Sequence, residues 1–164
     1  DTERDMYHTC IDVLKQYGFK QYEISNFAKH GFECRHNLIY WEDQEYIGCG
    51  SGAHSIINCK RFANTVNIAE YVEKIENNQK AVAFEENIDK KTERFEAIMM
   101  NLRLNRGIIK KDFHDRFGFS IDHLYGDTIK HLEASGLIVE DNYSVKLTDR
   151  GRDIQNTVLL AFMD

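Results

Sequence analysis

Apolar residues recur at helical spacing from the first residues onward: Met6, Cys10, Val13, Leu14 and Tyr17, with Gly18 placed to close the run. The pattern predicts an amphipathic helix over about 2–17 with those five side chains on its buried face. In FKQYEISNF (19–27), Tyr22 and Ile24 alternate with Glu23 and Ser25, which predicts a strand. Residues 46–63 read as β-structure in short pieces, YIGCG, HSIIN and KRFAN; the last two form a tight hairpin through Asn58-Cys59-Lys60. A helix over about 68–77 follows. Asn67 is its N-cap, Glu70 stands where a capping box needs it, and Ile68, Tyr71, Val72 and Ile75 form the expected buried stripe. AVAFEENI (81–88) reads as extended.

The second half has a different rhythm. Asp89 caps a helix with Phe95, Ile98, Met99 and Leu102 on its apolar face, and Gly107 ends it. KDFHDRFG (111–118) is a short helix closed by Gly118. Ser120 caps the next, with Ile121, Leu124, Tyr125, Thr128 and Leu132 inward and Gly136 at its end. LIVED and YSVKLT alternate around Asp141-Asn142 as a β-hairpin, and Thr148 caps a last helix bearing Ile154, Val158, Ala161 and Phe162. Helix, helix, helix, hairpin, helix is the order of a winged-helix-like domain. The fold class expected is α+β, and the change of rhythm places a boundary near 85–90.

Composition narrows the classes. Of 164 residues, 42 % are hydrophobic, enough for a core, and 27 acidic against 21 basic residues give a formal charge of −6. Nucleic-acid binders draw most of their affinity from neutralising phosphates, so the charge argues against that partner. The helix 121–135 points the same way, since Lys130 is offset by Asp122, Asp127 and Glu133. No apolar run approaches the ~20 residues of a membrane span, and DTERDMYHTC is too charged for a signal peptide. Cys10, Cys34, Cys49 and Cys59 form no CxxC pair, which favours a reducing, cytoplasmic setting over a disulfide framework. The chain opens inside a helix, so it is expected to be a piece of a longer protein.

Two stretches carry candidate chemistry. CRHNLIYW (34–41) gathers a thiol, an imidazole, an amide, a phenol and the single tryptophan. Flat aromatics beside a histidine suit a flat ligand, and haem with an axial imidazole is one example. Core packing of Tyr40 and Trp41 is the structural alternative. GCGSGAH (48–54) lets backbone approach a ligand or another strand. Cys34, His36, Cys49, His54 and Cys59 are potential zinc ligands, but they lack the close pairs of structural zinc sites. His8, His30, His114, His123 and His131 have no evident partner in the sequence and are expected at the surface.

QYEISNFAKHGFECRHNLIYW, YIGCGSGAHS and FEAIMMNLRLNRGI together, in this order, resemble the oxygen-independent coproporphyrinogen III oxidases and their relatives, which are radical S-adenosylmethionine proteins. The likeness is greater to the HemW, haem-chaperone-like branch, where HNxxYW is characteristic; here it is His36, Asn37, Tyr40 and Trp41. The resemblance covers essentially the whole chain, as the C-terminal part of a longer protein. It departs at His30, where proline is common, and at Cys49, where an aliphatic residue is common.

The resemblance implies a specific organisation. Residues 1–65 are the end of a radical S-adenosylmethionine (β/α) barrel with a β-hairpin region, 66–88 a linking helix and extended segment, and 89–164 a winged-helix-like domain. It implies a haem or substrate site at His36, Asn37, Tyr40 and Trp41, with His36 as potential axial ligand and Asn37 orienting it. Residues near the cofactor would be Tyr22, Glu23, Ser25 and Asn26, read as the last barrel strand, and Gly48, Gly50, Gly52, Ala53 and His54. The parent protein would hold S-adenosylmethionine and a 4Fe–4S cluster on a CxxxCxxC motif that this chain lacks, so this chain alone is expected to be inactive. The expected partners are a tetrapyrrole and the N-terminal barrel of the same protein. Other readings are true oxidase activity and, from another class, a winged-helix module for nucleic acid or protein.

Overall fold

The computed structural model describes residues 2–163. Its helices and strands in chain order are α1 (Thr2–Gln16), β1 (Lys20–Gln21), β2 (Phe27–Ala28), α2 (Arg35–Trp41), β3 (His54–Ile57), β4 (Lys60–Asn64), α3 (Ile68–Glu76) and β5 (Val82–Asn87). There follow α4 (Lys90–Asn101), β6 (Ile108–Ile109), α5 (Lys110–Phe117), α6 (Ile121–Ala134), β7 (Ile138–Glu140), β8 (Ser144–Leu147), α7 (Asp149–Asp153) and α8 (Gln155–Leu160). This is a mixed α+β chain. It forms two compact units: one takes in the chain up to Glu42 and again from Phe95, the other is Asp43–Arg94.

The first unit holds the main core. α4, α5, α6 and α8 pack with the antiparallel sheet β6-β8-β7, burying Ile98, Leu102, Ile108, Phe113, Ile129, Ile138, Val145 and Phe162. Each such side chain contributes about 1.5–3 kcal/mol of burial. The hairpin turns where expected. Asp141 Oδ1 accepts from the Tyr143 and Ser144 amides at 2.8 and 2.7 Å, so a side chain closes the turn. Gly107 lies at φ +69°, and a Cβ there would stand 2.1 Å from the Val145 carbonyl oxygen, so only glycine lets this turn reach β8.

Local signals held where a side chain caps its own helix. Ser120 accepts from the His123 amide at 3.1 Å and Thr148 from Gly151 at 3.0 Å. Asp89 accepts from Thr92 at 2.8 Å and Asn67 from Glu70 at 3.2 Å. Gly118 closes α5 in the left-handed region.

Several expectations need correction. α1 is rotated from the expected face: Leu14 leans on the unit as expected, but together with Tyr7 and Ile11, while Met6, Val13 and Tyr17 are 68 %, 45 % and 71 % exposed and Cys10 is exposed too. Tyr7 decides the face, because its hydroxyl bonds the Ile24 carbonyl at 3.0 Å and Gln21 at 2.5 Å. The strand expected through Tyr22–Asn26 is a turn. β1 pairs antiparallel with β2, Lys20 opposite Ala28 and Gln21 opposite Phe27, and the Tyr22 amide bonds the Asn26 carbonyl at 3.1 Å. The Ile24 carbonyl is taken by side chains, so the backbone needs no ladder there.

α4 stops at Asn101 rather than running to Gly107. α6 bends at Tyr125 (φ −129°, ψ 16°), which rotates Leu124 outward and brings Ile129 inward. The last helix breaks at Ile154 (φ −124°, ψ 33°) into α7 and α8, leaving Ile154 exposed and burying Leu159 beside Val158 and Phe162. His8 has a partner, Asp153, at 3.1 Å.

In the second unit, β3, β4 and β5 form an antiparallel sheet. Asn58 and Cys59 make the β3–β4 turn at φ +52° and +56°, the twist a two-residue hairpin needs. YIGCG contributes only the isolated bridge Tyr46–Ile56. α3 forms as expected, but its stripe is not buried: Ile68, Val72 and Ile75 are 71 %, 44 % and 50 % exposed. The capping box is also rerouted. Glu70 accepts from the Thr65 hydroxyl at 2.8 Å, and Thr65 in turn accepts from the Asn67 amide at 3.2 Å. No helix among the described residues is long and apolar enough to cross a membrane.

Candidate functional site

HNLIYW folds as α2, a helix of seven residues beginning at Arg35. Cys34 offers no side-chain cap; its carbonyl accepts the Leu38 amide at 3.1 Å, and the Glu42 amide closes the other end on Leu38 at 2.8 Å. The helical repeat sorts the motif into two i, i+4 pairs. His36 and Tyr40 share one stripe; Asn37 and Trp41 share another, about 100° round the helix per residue apart.

The first pair is in contact. The Tyr40 hydroxyl lies 3.0 Å from His36 Nε2, and the rings meet edge to face at 4.9 Å. His36 is exposed, while Asn37, Tyr40 and Trp41 are half-buried. Among the described residues, Tyr40 and not Asn37 is hydrogen-bonded to the imidazole. An exposed imidazole held at one nitrogen by a phenol is competent as a metal ligand or proton carrier.

The second pair is fixed by residues from the segment after α4. Asn101 Nδ2 donates to the Trp41 carbonyl at 3.2 Å, the Arg103 guanidinium sits 5.6 Å from the Trp41 ring centre, and Arg106 pairs with Glu42 at 2.7 Å. These three residues were not singled out in the sequence, although they lie in FEAIMMNLRLNRGI; only the fold brings that run beside α2.

Tyr22, Glu23, Ser25 and Asn26 occupy the turn between β1 and β2. Glu23 is wholly buried: Oε1 accepts the Ser25 amide at 3.2 Å, and Oε2 has no partner among the described residues. Its backbone bridges Leu104, and the Asn105 amide donates to the Tyr22 carbonyl at 3.0 Å. Ser25 and Asn26 are exposed.

The glycine loop belongs to the second unit. A Cβ on Gly48 would stand 2.2 Å from the His54 carbonyl oxygen, so glycine is required for a backbone crossing. The Gly48 amide donates to Ser55 Oγ at 3.0 Å, Gly50 to the Tyr71 hydroxyl at 3.2 Å and Gly52 to the Thr65 carbonyl at 2.9 Å. These amides are spent inside the protein, which is unlike a phosphate cradle. Ala53 bonds backbone to backbone with Asn64 at 2.9 Å, and His54 is exposed at the start of β3.

The cysteines are free thiols, Cys10 on α1, Cys34 before α2, Cys49 in the glycine loop and Cys59 in the hairpin turn. Among the described residues no three metal-ligating side chains converge. An iron–sulfur cluster therefore does not fit the thiols of this chain. A group needing one exposed imidazole fits His36.

Comparison with known proteins gives the family to which the chain is similar. Residues 88–154 match the family model described as the HemN C-terminal domain. The chain is 35 % identical to the haem chaperone HemW of Bacillus subtilis, over 99 % of this chain and 43 % of that protein. It is 33 % identical to the haem chaperone HemW of Lactococcus lactis, over 99 % and 42 %. Its fold matches that of coproporphyrinogen III oxidase (HemN) from Escherichia coli, a radical SAM enzyme, with a TM-score of 0.71 at 16 % identity over 96 % of this chain and 40 % of that one. The chain thus spans about two fifths of the length of these relatives.

Proposed function

We propose, for a chain that belongs to the HemN/HemW family and matches its C-terminal part, that the intact protein is a cytoplasmic radical S-adenosylmethionine protein of tetrapyrrole metabolism, acting as a haem chaperone. His36 is the haem ligand. It is exposed on a short helix with the aromatic rings of Tyr40 and Trp41 on the same seven residues, and this is the observation that carries the reading. Tyr40 and Trp41 supply aromatic surface on adjacent stripes of that helix.

In this reading α1 and β1 close a barrel built mostly from the remainder of the protein, which also holds the cluster and S-adenosylmethionine. The turn at Tyr22–Asn26 borders that cofactor. The helices and sheet from residue 89 onward form a winged-helix-like cover, with 66–88 as connector. Such a cover keeps a reactive centre from water. This chain by itself runs no radical step, because it carries no CxxxCxxC.

The test is a haem titration of the intact protein and of its His36→Ala form. Loss of affinity together with a changed Soret band supports the assignment; identical spectra and affinity remove it. The fold likeness to HemN favours one second reading, decarboxylation of coproporphyrinogen III. Product formation by the intact protein with reductant and S-adenosylmethionine would establish that activity in place of carriage.

A further inference from the structure

The segment after α4 meets the end of α2 through two arginines that are treated differently. Arg106 has a carboxylate, Glu42, at 2.7 Å. Arg103 has none. Its guanidinium lies over the Trp41 ring at 5.6 Å, it is half-buried, and its Nε is sealed from solvent without an acceptor. Among the described residues nothing pairs with it or accepts a hydrogen bond from its side chain.

Arg94 on α4 shares that unpartnered, buried Nε, but of the two only Arg103 lies over an aromatic ring of α2. Arg61 has Glu86 at 2.5 Å and Arg152 has Asp149 at 3.6 Å. A partly buried cation without a counter-charge is destabilising, and an anion beside it would offset that cost. A guanidinium resting on an aromatic face keeps its in-plane N–H groups free of the ring, and the fork formed by its two terminal Nη groups matches a carboxylate bidentately.

We propose that Arg103 is a carboxylate anchor, taking a propionate of the tetrapyrrole bound at α2. This rests on the haem-site reading given above. A macrocycle carries its metal at the centre and its propionates at the rim. The anchoring cation therefore belongs beside the ligating imidazole and not on it, and the Trp41–Arg103 pair stands on the stripe of α2 next to that of His36. Trp41 then has two tasks, as ligand surface and as the platform that positions Arg103.

The experiment compares haem with haem dimethyl ester, whose propionates carry no charge, by Soret titration of the intact protein in wild-type, Arg103→Gln, Arg103→Lys and His36→Ala forms. Wild type is expected to prefer haem. Arg103→Gln should lose ~10- to 100-fold in haem affinity, keep its ester affinity and keep the wild-type Soret position. Arg103→Lys should fall between, since it restores charge but not the fork.

An unchanged ratio of haem to ester affinity in Arg103→Gln overturns the proposal. That holds also where both affinities fall together, as they would if Arg103 only braced α2 or paired with an acidic residue elsewhere in the intact protein. The His36 reading fails separately, when His36→Ala binds haem with wild-type affinity and spectrum; a collapsed ratio in Arg103→Gln would then still support the anchor. A wild type that binds neither ligand overturns both.

Discussion

The Tyr40 hydroxyl stands 3.0 Å from His36 Nε2, one helical turn along α2. The less hindered imidazole nitrogen is thus already occupied, and a metal that takes it must displace the phenol. Tyr40→Phe keeps the ring and removes the competitor. Haem affinity is expected to rise ~2- to 10-fold, the worth of one ordinary hydrogen bond. A Soret titration checks this, and a clear loss of affinity would mean that the phenol contacts the ligand itself.

The bend in α6 at Tyr125 exchanges two side chains between core and surface. Ile129 is 1 % exposed and Leu124 is 38 % exposed. Ile129→Ala should cost about 2–5 kcal/mol of unfolding free energy, and Leu124→Ala under about 1 kcal/mol. Urea melts of the two variants would decide it. Equal losses would argue for a straight helix with Leu124 inward.

Gly48 lies against the backbone of residue 54, with 2.2 Å between a would-be Cβ and the His54 carbonyl oxygen. Gly48→Ala has no side-chain torsion through which to relieve that clash, so the backbone must shift at a cost of about 1–3 kcal/mol. The Gly48 amide, which donates to Ser55 Oγ at 3.0 Å, should lose protection in hydrogen exchange. Protection at wild-type level would contradict the close crossing.

Lys110 joins Asp122 at 3.1 Å to Glu140, tying α5 to α6 and β7. Burial pushes the Asp122 carboxyl up, but the Lys110 ammonium that donates to it outweighs that and leaves it below its ordinary 3.8. Burial likewise pulls Lys110 down, and the bonds to Glu140 and Asp122 raise it above 10.5. A depressed carboxyl contributes stability that is present above its free value and lost as pH falls through the folded one. A raised ammonium contributes stability that is present below its free value and lost as pH rises through the folded one. Lys110→Met should therefore be less stable than wild type at pH 7. The gap should narrow as the pH is lowered from about 4 and Asp122 takes up its proton. Urea midpoints across that range test it, and a gap that stays constant would dismiss the clasp.

Much of the chain was legible because its controlling interactions are short. Asn67, Asp89, Ser120 and Thr148 each satisfy an amide three residues on, and Asp141 does the same for its turn. A two- or three-residue hydrogen bond leaves its signature in the residues that make it. The family likeness was legible too, since HNLIYW, GCGSGAH and NLRLNRG stand in order along the chain.

What the sequence determined by itself, then, was the order of most helices and of the two longer hairpins, their caps and turns, and the residues of the motif. Tertiary structure alone decided which way they face. α1 and α3 each carry an apolar stripe, yet Met6 and Ile68 point to solvent, because amphipathicity marks a helix as able to bury a face without saying what is there to bury it. It also decided that HNLIYW is a helix pairing His36 with Tyr40, and that Arg103, 62 positions beyond Trp41, lies on its ring. Contacts between distant segments depend on how every element between them packs, and no local pattern records that sum.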